Sequence, residues 1–548
     1  MFVAPDGTPS GPGSLSSPYD LATALSGAVS QPGDTFWLRG GVYQLGHVNT
    51  TIQGAPGQPI TFRQVSGEYA RVDGSISIFD SIGYAVFRDF ELYSSDTNRV
   101  SSQIGVGFNP TDISIIPGIA CYSPNLSFVN LVVHDETRHG IYTSETASNI
   151  LIYGCLIFNN GWSCPDNAEG HGVYAQGSIG ARTITDSIVF NNSGVNMHIY
   201  ENATNGTLVG VTLDGNVAFN AGGIQNVRAY RDWIVGVDAP ALYADNIIVT
   251  HNMGYRTPDL AVATQPQMDI GRDSTNGSVV LTDNYMPLSL QMNNWSTANV
   301  SRNLFAPDPA DYVLGLNQTL SSLSADWDNN TYVVAPTGKE VSLDFEPYSF
   351  SGWQAATGFD SDSTFVVGEL HGTRVFVRPN AWENGRANII VYNWDRLDNV
   401  TVDVSALARV GSMFEVRNAQ DYFAGPVISG IFTGQPLQLP MTNLTVAAPN
   451  GPVSPTGPFY TPPPTGPTFN VFVLRRPRGG LHIQQQNGSV QVYWPFSSGA
   501  DALQCTDSST IPSRWINDTN APVVVEDRFM VTEPMAAGAK FYRLRTGS

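Results

Sequence analysis

The first 338 residues contain no lysine; the only two in the chain are Lys339 and Lys540. Charge of either sign is scarce, with 14% of the 548 residues charged against about 25% in an average globular protein. Acids outnumber bases 47 to 27, giving a net charge of −20. A nucleic-acid partner needs a basic stripe, so that class is excluded. No apolar run approaches the roughly 18 residues of a membrane span, and no membrane partner is expected. The N-terminus, Met1-Phe2-Val3-Ala4-Pro5-Asp6-Gly7, lacks the basic start and apolar run of a signal peptide. It reads as the first strand of a mature domain behind an added Met, and a secreted protein with its signal removed is expected. Cysteine is also rare: Cys121, Cys155, Cys164 and Cys505 form no CxxC pair. Free buried thiols are expected, Cys155 and Cys164 being the only pair near enough in sequence for a bridge.

Apolar residues make up 42% of the chain, enough for a sizeable core, and 53 Gly with 36 Pro fit a turn-rich β protein. A repeat then decides the architecture. Five segments carry a mostly polar pair followed by three mostly apolar residues: 129–134, 154–159, 186–191, 215–220 and 245–250. Their markers Leu131, Leu156, Ile188, Val217 and Ile247 recur every 25 to 32 residues, one coil of a solenoid. Val, Ile and Phe dominate, which favours strands. The markers are expected to stack in one buried column, and Asn159, Asn191 and Asn220 to form a side-chain ladder. An all-β right-handed parallel β-helix follows from about residue 30 to 335, with a helix-like cap over 19–25. The expected division is 1–338 for the β-helix, 339–478 for a β-sandwich and 479–548 for a small C-terminal β module. A Pro-rich loop, 449–467, interrupts the second unit.

The stretch APDGTPSGPGSLSSPYDLATALSGAVSQPGDTFWLRGGVY (residues 4–43) resembles the opening of secreted, pectate-lyase-like β-helix proteins that act on polysaccharides, and PITFRQVSGEYARVDG (59–74) continues the likeness. The resemblance covers about residues 4–335 and implies the fold, which hosts lyases, hydrolases, epimerases and phage adhesins. Residues 138–149, RHGIYTSETASN, resemble a coil of mannuronan epimerases, whose Arg-His pair contacts the uronate; this implies Arg138 and His139 as substrate ligands. The companion Asp-Pro-His motif is missing. Residues 169–180, EGHGVYAQGSIG, resemble the Gly-His-Gly stretch of polygalacturonases and imply His171, although their paired aspartates are absent. The C-terminal module resembles those on secreted bacterial proteins.

One column carries the unusual residues. Aligning 139–144, 171–176, 197–202, 225–230 and 268–273 puts Ile or Val at every third position, facing inward. Alternation sends the neighbours outward. Tyr142, Tyr174, Tyr200 and Arg228 then form one file, His198, Asn226 and Asp269 a second, and Gln176, Asn202, Tyr230 and Asp273 a third. His139 and His171 face inward by the same rule. Stacked tyrosines offer flat faces with a hydroxyl edge, suited to sugar rings, so Tyr142, Tyr174, Arg138, His139, His171, Arg228, Tyr230 and Asp273 are candidate substrate ligands. The candidate catalytic residues are His198, Tyr200 and Asp269, with Glu169 and Asp135 from loops; Asp166, Asp232 and Asp259 are further loop acids. Glycoside hydrolysis needs two carboxylates about 5–9.5 Å apart. β-Elimination needs a base and a cation for the uronate carboxylate, which Arg138, Arg228, Arg231, Arg256 and Arg272 could supply. A polysaccharide-degrading enzyme is expected, a hydrolase narrowly ahead of a lyase or epimerase. A non-catalytic glycan-binding protein is the alternative of a different class. No cofactor is assigned, Ca²⁺ stays open as a cation, and a monomer is expected.

Overall fold

A computed structural model describes the chain apart from residues 80–81, 203, 205, 259, 261–266, 308–309, 456–460, 478–480, 487, 496–501, 508–514, 526–527, 536–537 and 546–548. Two parallel sheets dominate. One has 12 strands, from Phe2–Val3 to Ser324–Asp328; the other has 22 and reaches Thr364–Val367. The parallel ladder therefore runs past the boundary expected at 338. The coil containing Lys339–Leu343 pairs with Tyr312–Asn317, and the helix Phe350–Thr357 closes that end through buried Phe350 and Trp353. At the other end the short helix Leu21–Leu25, capped by Asp20, covers the first coil.

The coils turn because short strands meet at residues in the left-handed region. Asn130, Gly154, Asp186, Gly215 and His251 sit at φ 50–67° in successive coils, and glycine or a short polar side chain tolerates that conformation best. Inside, aromatic rings stack coil upon coil: Phe36, Phe62, Phe87 and Phe128 follow one another at centroid spacings of 4.8, 5.3 and 5.8 Å.

The expected Asn column is displaced. Asn159, Asn191 and Asn220 occupy a bend at φ 52–58° and do not bond one another; their side chains leave the ladder because the left-handed backbone aims them sideways. The ladders form elsewhere. Asn160 donates to Asn192 (2.9 Å) one residue further on. A longer file runs inside the solenoid, where Asn216, Asn252, Asn284, Asn303 and Asn330 donate Nδ2 to the next Oδ1 at 2.9–3.2 Å. Replacing Asn252 by Leu strands the backbone N–H of Asn216, removes its side-chain amide's second acceptor beside the Ile184 carbonyl, and frees the carbonyl of Leu213. The expected cost is about 2–5 kcal/mol, read as a lower urea midpoint; a loss under about 1 kcal/mol makes the ladder dispensable.

The marker column is corrected at both ends and in its direction. Val132, not Leu131, faces Leu156; Ile188 and Val217 follow in register; Met253, not Ile247, completes the file. Ile247 belongs to the opposite sheet, beside Val211. The column points out of the solenoid, while Val133, Ile157, Val189 and Ala218 point in. It stays buried because a second unit covers it. Five antiparallel strands, ordered Thr373–Pro379, Ala387–Asn393, Phe469–Arg475, Met413–Asn418 and Ile428–Ile431, lie against the β-helix. Ile390, Tyr392, Phe469, Val471 and Val473 join Leu156, Phe158, Ile188, Phe190, Val217 and Phe219 in one apolar cluster. Arg378 adds ion pairs to Asp186 (2.7 Å) and Asp214 (2.9 Å). The sheet's other face packs on the two-stranded antiparallel ribbon of Asn399–Val402 with Leu437–Pro440. All four cysteines are free and buried.

Candidate functional site

A groove follows one outer face of the β-helix. Its floor is a file set by strand register: Ala120, Tyr142, Tyr174, His198, Ile234, Asp269. This moves the expected alignment by two residues. Val173 faces Met197 rather than Ile199, so Tyr174 lies beside His198, and Tyr200 belongs to the next file. The fourth coil is Trp233–Asp238; residues 225–230 form no strand. There the Gln225 side chain accepts from the N–H of Val227 (2.7 Å) and Arg228 (2.9 Å), and these local bonds replace a ladder. Arg228 and Tyr230 reach the groove from a loop, and Val227 packs beneath that loop.

Rings line the floor. Tyr142 and Tyr174 are 5.5 Å apart, Tyr174 stacks on His198 at 4.8 Å, and His198 stacks on Tyr200 at 4.6 Å. His139 and His171, expected to face inward, stack at 5.0 Å in the groove wall and meet the edges of Tyr174. Both precede their strands, where alternation does not yet hold. The main cavity, about 830 Å³, is lined by Arg138, His171, Tyr174, His198, Tyr200 and Arg228 among others. A second of about 510 Å³ shares Arg138, His139 and Tyr174 with it and continues past Tyr142 to Tyr122, Phe79 and His47. From the coil of His47 to that of Arg272 the trough spans roughly 30 Å at about 4.8 Å per coil.

Glu169 is the reactive-looking carboxyl. It is placed by the antiparallel pair of Trp162–Ser163 with Ala168–Glu169. Burial pushes it up to about 7, against the pull of Arg228 and Arg138 and the Gly170 N–H. Its Oε2 lies 3.2 Å from His171 Nε2. Nδ1 of His171 accepts from the Val195 N–H (3.0 Å) and Nδ1 of His139 from the His171 N–H (3.1 Å), so the ring proton of each neutral imidazole sits on Nε2. Burial drives His171 down to about 3 and holds His139 and His198 well below the usual histidine range. At neutral pH His171 is therefore an uncharged donor to Glu169.

The other acids are committed. Asp269, almost fully buried, meets Arg231 (2.5 Å), Arg272 (2.8 Å) and Asn293 (3.0 Å). Asp238, unremarked in the sequence, accepts from Tyr200 (3.0 Å) and Arg272 (3.0 Å). Asp273 is exposed; its hydrogen bond to Asp238 raises it, and it does not line the cavity. Asp135 lies outside the groove, bound to Arg99 (3.0 Å), His134 (2.7 Å) and the Asn450 N–H (2.7 Å). Asp232 is buried under the 220–232 loop on Asn196 and the Ala221 N–H. Asp166 serves the Gly105 N–H; Asp259 lies outside the described residues. Among the guanidiniums, Arg228 donates to Asn167 (2.9 Å) over the Tyr230 ring, and the Tyr230 hydroxyl donates to the Ala168 carbonyl. Arg138 has no hydrogen bond or ion pair among the described residues and opens into both cavities. Arg256 binds the carbonyls of Ala221 and Tyr230 behind the loop and lines neither cavity.

The parallel solenoid has a counterpart among known families. Residues 1–232 match the family model described as the Pel9A-like, right handed beta helix region. The handedness and coil architecture read from the sequence are thereby borne out. No curated protein sequence matches the chain. Among solved structures, pectate lyase Pel9A is similar at 13% identity and a TM-score of 0.37, over 55% of this chain and 78% of its own. A lacto-N-biosidase from Eubacterium ramulus is similar at 11% and 0.38, over 67% of each. A mannuronic acid specific family 6 polysaccharide lyase from human gut microbiota is similar at 12% and 0.34, over 63% and 82%.

Proposed function

We propose that the groove of this Pel9A-like β-helix is the active site of a carbohydrate-active enzyme that cleaves a uronate-bearing polysaccharide by β-elimination. One observation carries the reading: Glu169, a buried groove carboxyl with no arginine ion pair among the described residues, sits on His171 at the centre of the trough, with Arg138 and Arg228 close enough to act on its charge. Ionised Glu169, steadied by the His171 Nε2–H, removes the proton next to the uronate carboxylate. Arg138 and Arg228 bind that carboxylate and the negative charge that builds on it. The C–O bond of the leaving sugar breaks, a C=C bond forms, and Glu169 returns the proton to the leaving oxygen. A carboxyl near 7 can both take and give a proton at neutral pH. The tyrosines and His198 stack sugars on either side, and a polymeric substrate of this kind suits an enzyme that works outside the cell.

Inverting hydrolysis is the second reading, favoured by the same raised Glu169 as general acid. It needs a second free carboxylate, whereas Asp269 and Asp238 are paired with Arg231 and Arg272, and Asp238 also accepts from Tyr200. A panel of glycans with reducing ends and ultraviolet absorbance read together tests both. New reducing ends with unsaturated-uronate absorbance support elimination; reducing ends alone establish hydrolysis; neither, with binding retained, leaves a glycan-binding protein. Arg138→Ala is expected to raise KM for a uronate polymer about 10–100-fold, the loss of one charge-assisted contact. The melting temperature should hardly move, because Arg138 makes no hydrogen bond or ion pair among the described residues. An unchanged KM removes Arg138 from carboxylate recognition.

A further inference from the structure

The Pro-rich loop of the second unit was set apart in the sequence, and the groove chemistry makes no use of it. Its first residues, with the two that precede it (447–454), run as an arm across the β-helix. The Ala447 carbonyl accepts from Asn159 (3.3 Å), the Asn450 N–H donates to Asp135 (2.7 Å), and the Asn450 side chain donates to the Ser94 carbonyl (3.0 Å). Gly451, at φ 79°, lies so close to Thr97 that a Cβ would come within 2.8 Å. Val453 and Ser454 are buried.

The last two contacts fall on the two segments that deliver the groove's reactive groups. Ser163 donates to the Val453 carbonyl (2.5 Å), and Ser163 belongs to the strand paired with Ala168–Glu169. Ser454 bonds Asn226, two residues before Arg228. Glu169 and Arg228 thus come from separate irregular segments, neither built into the solenoid ladder, and one stretch of the second unit touches both.

We propose that residues 447–454 are a clamp that holds the Glu169 hairpin and the Arg228 loop in register, making Val453 and Ser454 positioning residues for the groove. The inference rests on the functional reading only for its kinetic consequence. Aligned reacting groups lose rate steeply when misplaced by even about 1 Å, and short irregular segments open more easily than ladder strands. A remote contact that removes such freedom therefore acts on turnover without touching substrate.

The test uses the full chain and two measurements. Hydrogen–deuterium exchange needs no substrate. Ser454→Ala should raise exchange about tenfold in residues 222–231, and Gly451→Val, which lifts the arm from Thr97, should raise it in both 162–169 and 222–231, with the interior Asn ladder coils unchanged. On the polysaccharide that the glycan panel identifies, Ser454→Ala should raise KM about tenfold, Gly451→Val should also lower kcat about tenfold, and Ser454→Thr should restore wild-type values. Unchanged exchange in both variants overturns the clamp. Raised exchange with unaltered kcat and KM overturns the positioning role while leaving the proposed activity intact. A wild-type chain that cleaves no glycan removes the activity, and exchange alone then decides the clamp.

Discussion

Glu169→Gln is expected to lower kcat by about 10²–10⁴-fold, the range that one positioned proton-transfer group supplies. The amide keeps the shape of the carboxyl and can still accept from His171 Nε2 (3.2 Å in the wild type), so the hairpin should stay folded. The pH dependence has a defined sign. Burial raises the folded-state carboxyl to about 7 from an ordinary 4.5. The protonated form is therefore favoured by folding, and the stability Glu169 contributes is complete below about 4.5 and lost as pH rises through 7. The Gln variant lacks this titration. Its melting temperature relative to wild type should rise between pH 5 and 8. Activity by elimination, which starts from the ionised form, should climb through an apparent pKa near 7; hydrolysis, which starts from the acid, should fall there. A Gln variant with wild-type kcat would move the chemistry away from Glu169 altogether.

The groove was partly legible in the sequence, and the reasons differ residue by residue. Tyr142, Tyr174, His198 and Asp269 were placed on an outward face because the solenoid repeat and strand alternation are local properties, and all four lie on one file of the floor. The register slipped where the chain stopped obeying the period. Residues 225–230 look like a strand but follow the left-handed Asn220 and Gly222, and the Gln225 side chain takes their backbone donors. His139 and His171 stand outside their strands, so alternation sent them the wrong way. Glu169 could be named as a loop acid, but its buried environment depends on a short hairpin inserted between coils, 162–163 with 168–169, that no solenoid periodicity announces. Asp238 went unnoticed because it belongs to the strand displaced by that slip. An Asn ladder is legible in the sequence as a device but not its column: the same residue type serves left-handed bends at Asn159 and stacked amides at Asn252, and only backbone geometry separates the two.

The outward direction of the marker column gives the second large effect. Ile188→Asp is expected to detach the second unit from the β-helix while leaving the solenoid folded. Ile188 sits between Leu156 and Val217 on the face covered by Ile390, Tyr392 and Phe469, and is buried there. An unpaired carboxylate at that position costs several kcal/mol, and the way to relieve it is to admit water between the two units. Its neighbour Val189 faces the solenoid interior, where no such opening exists, so Val189→Asp should prevent folding of the coil stack. Limited proteolysis separates the cases: Ile188→Asp should become susceptible between Val367 and Thr373 while the β-helix fragment survives, and Val189→Asp should be degraded throughout. Equal degradation of both would return the column to the interior; resistance of Ile188→Asp would show that the second unit does not cover it. Activity adds a further arm. Among the described residues none of 340–548 lines the groove, yet the arm 447–454 belongs to the unit that Ile188→Asp releases. The detached protein should therefore lose turnover by about the same factor as Gly451→Val, although its groove residues are all present.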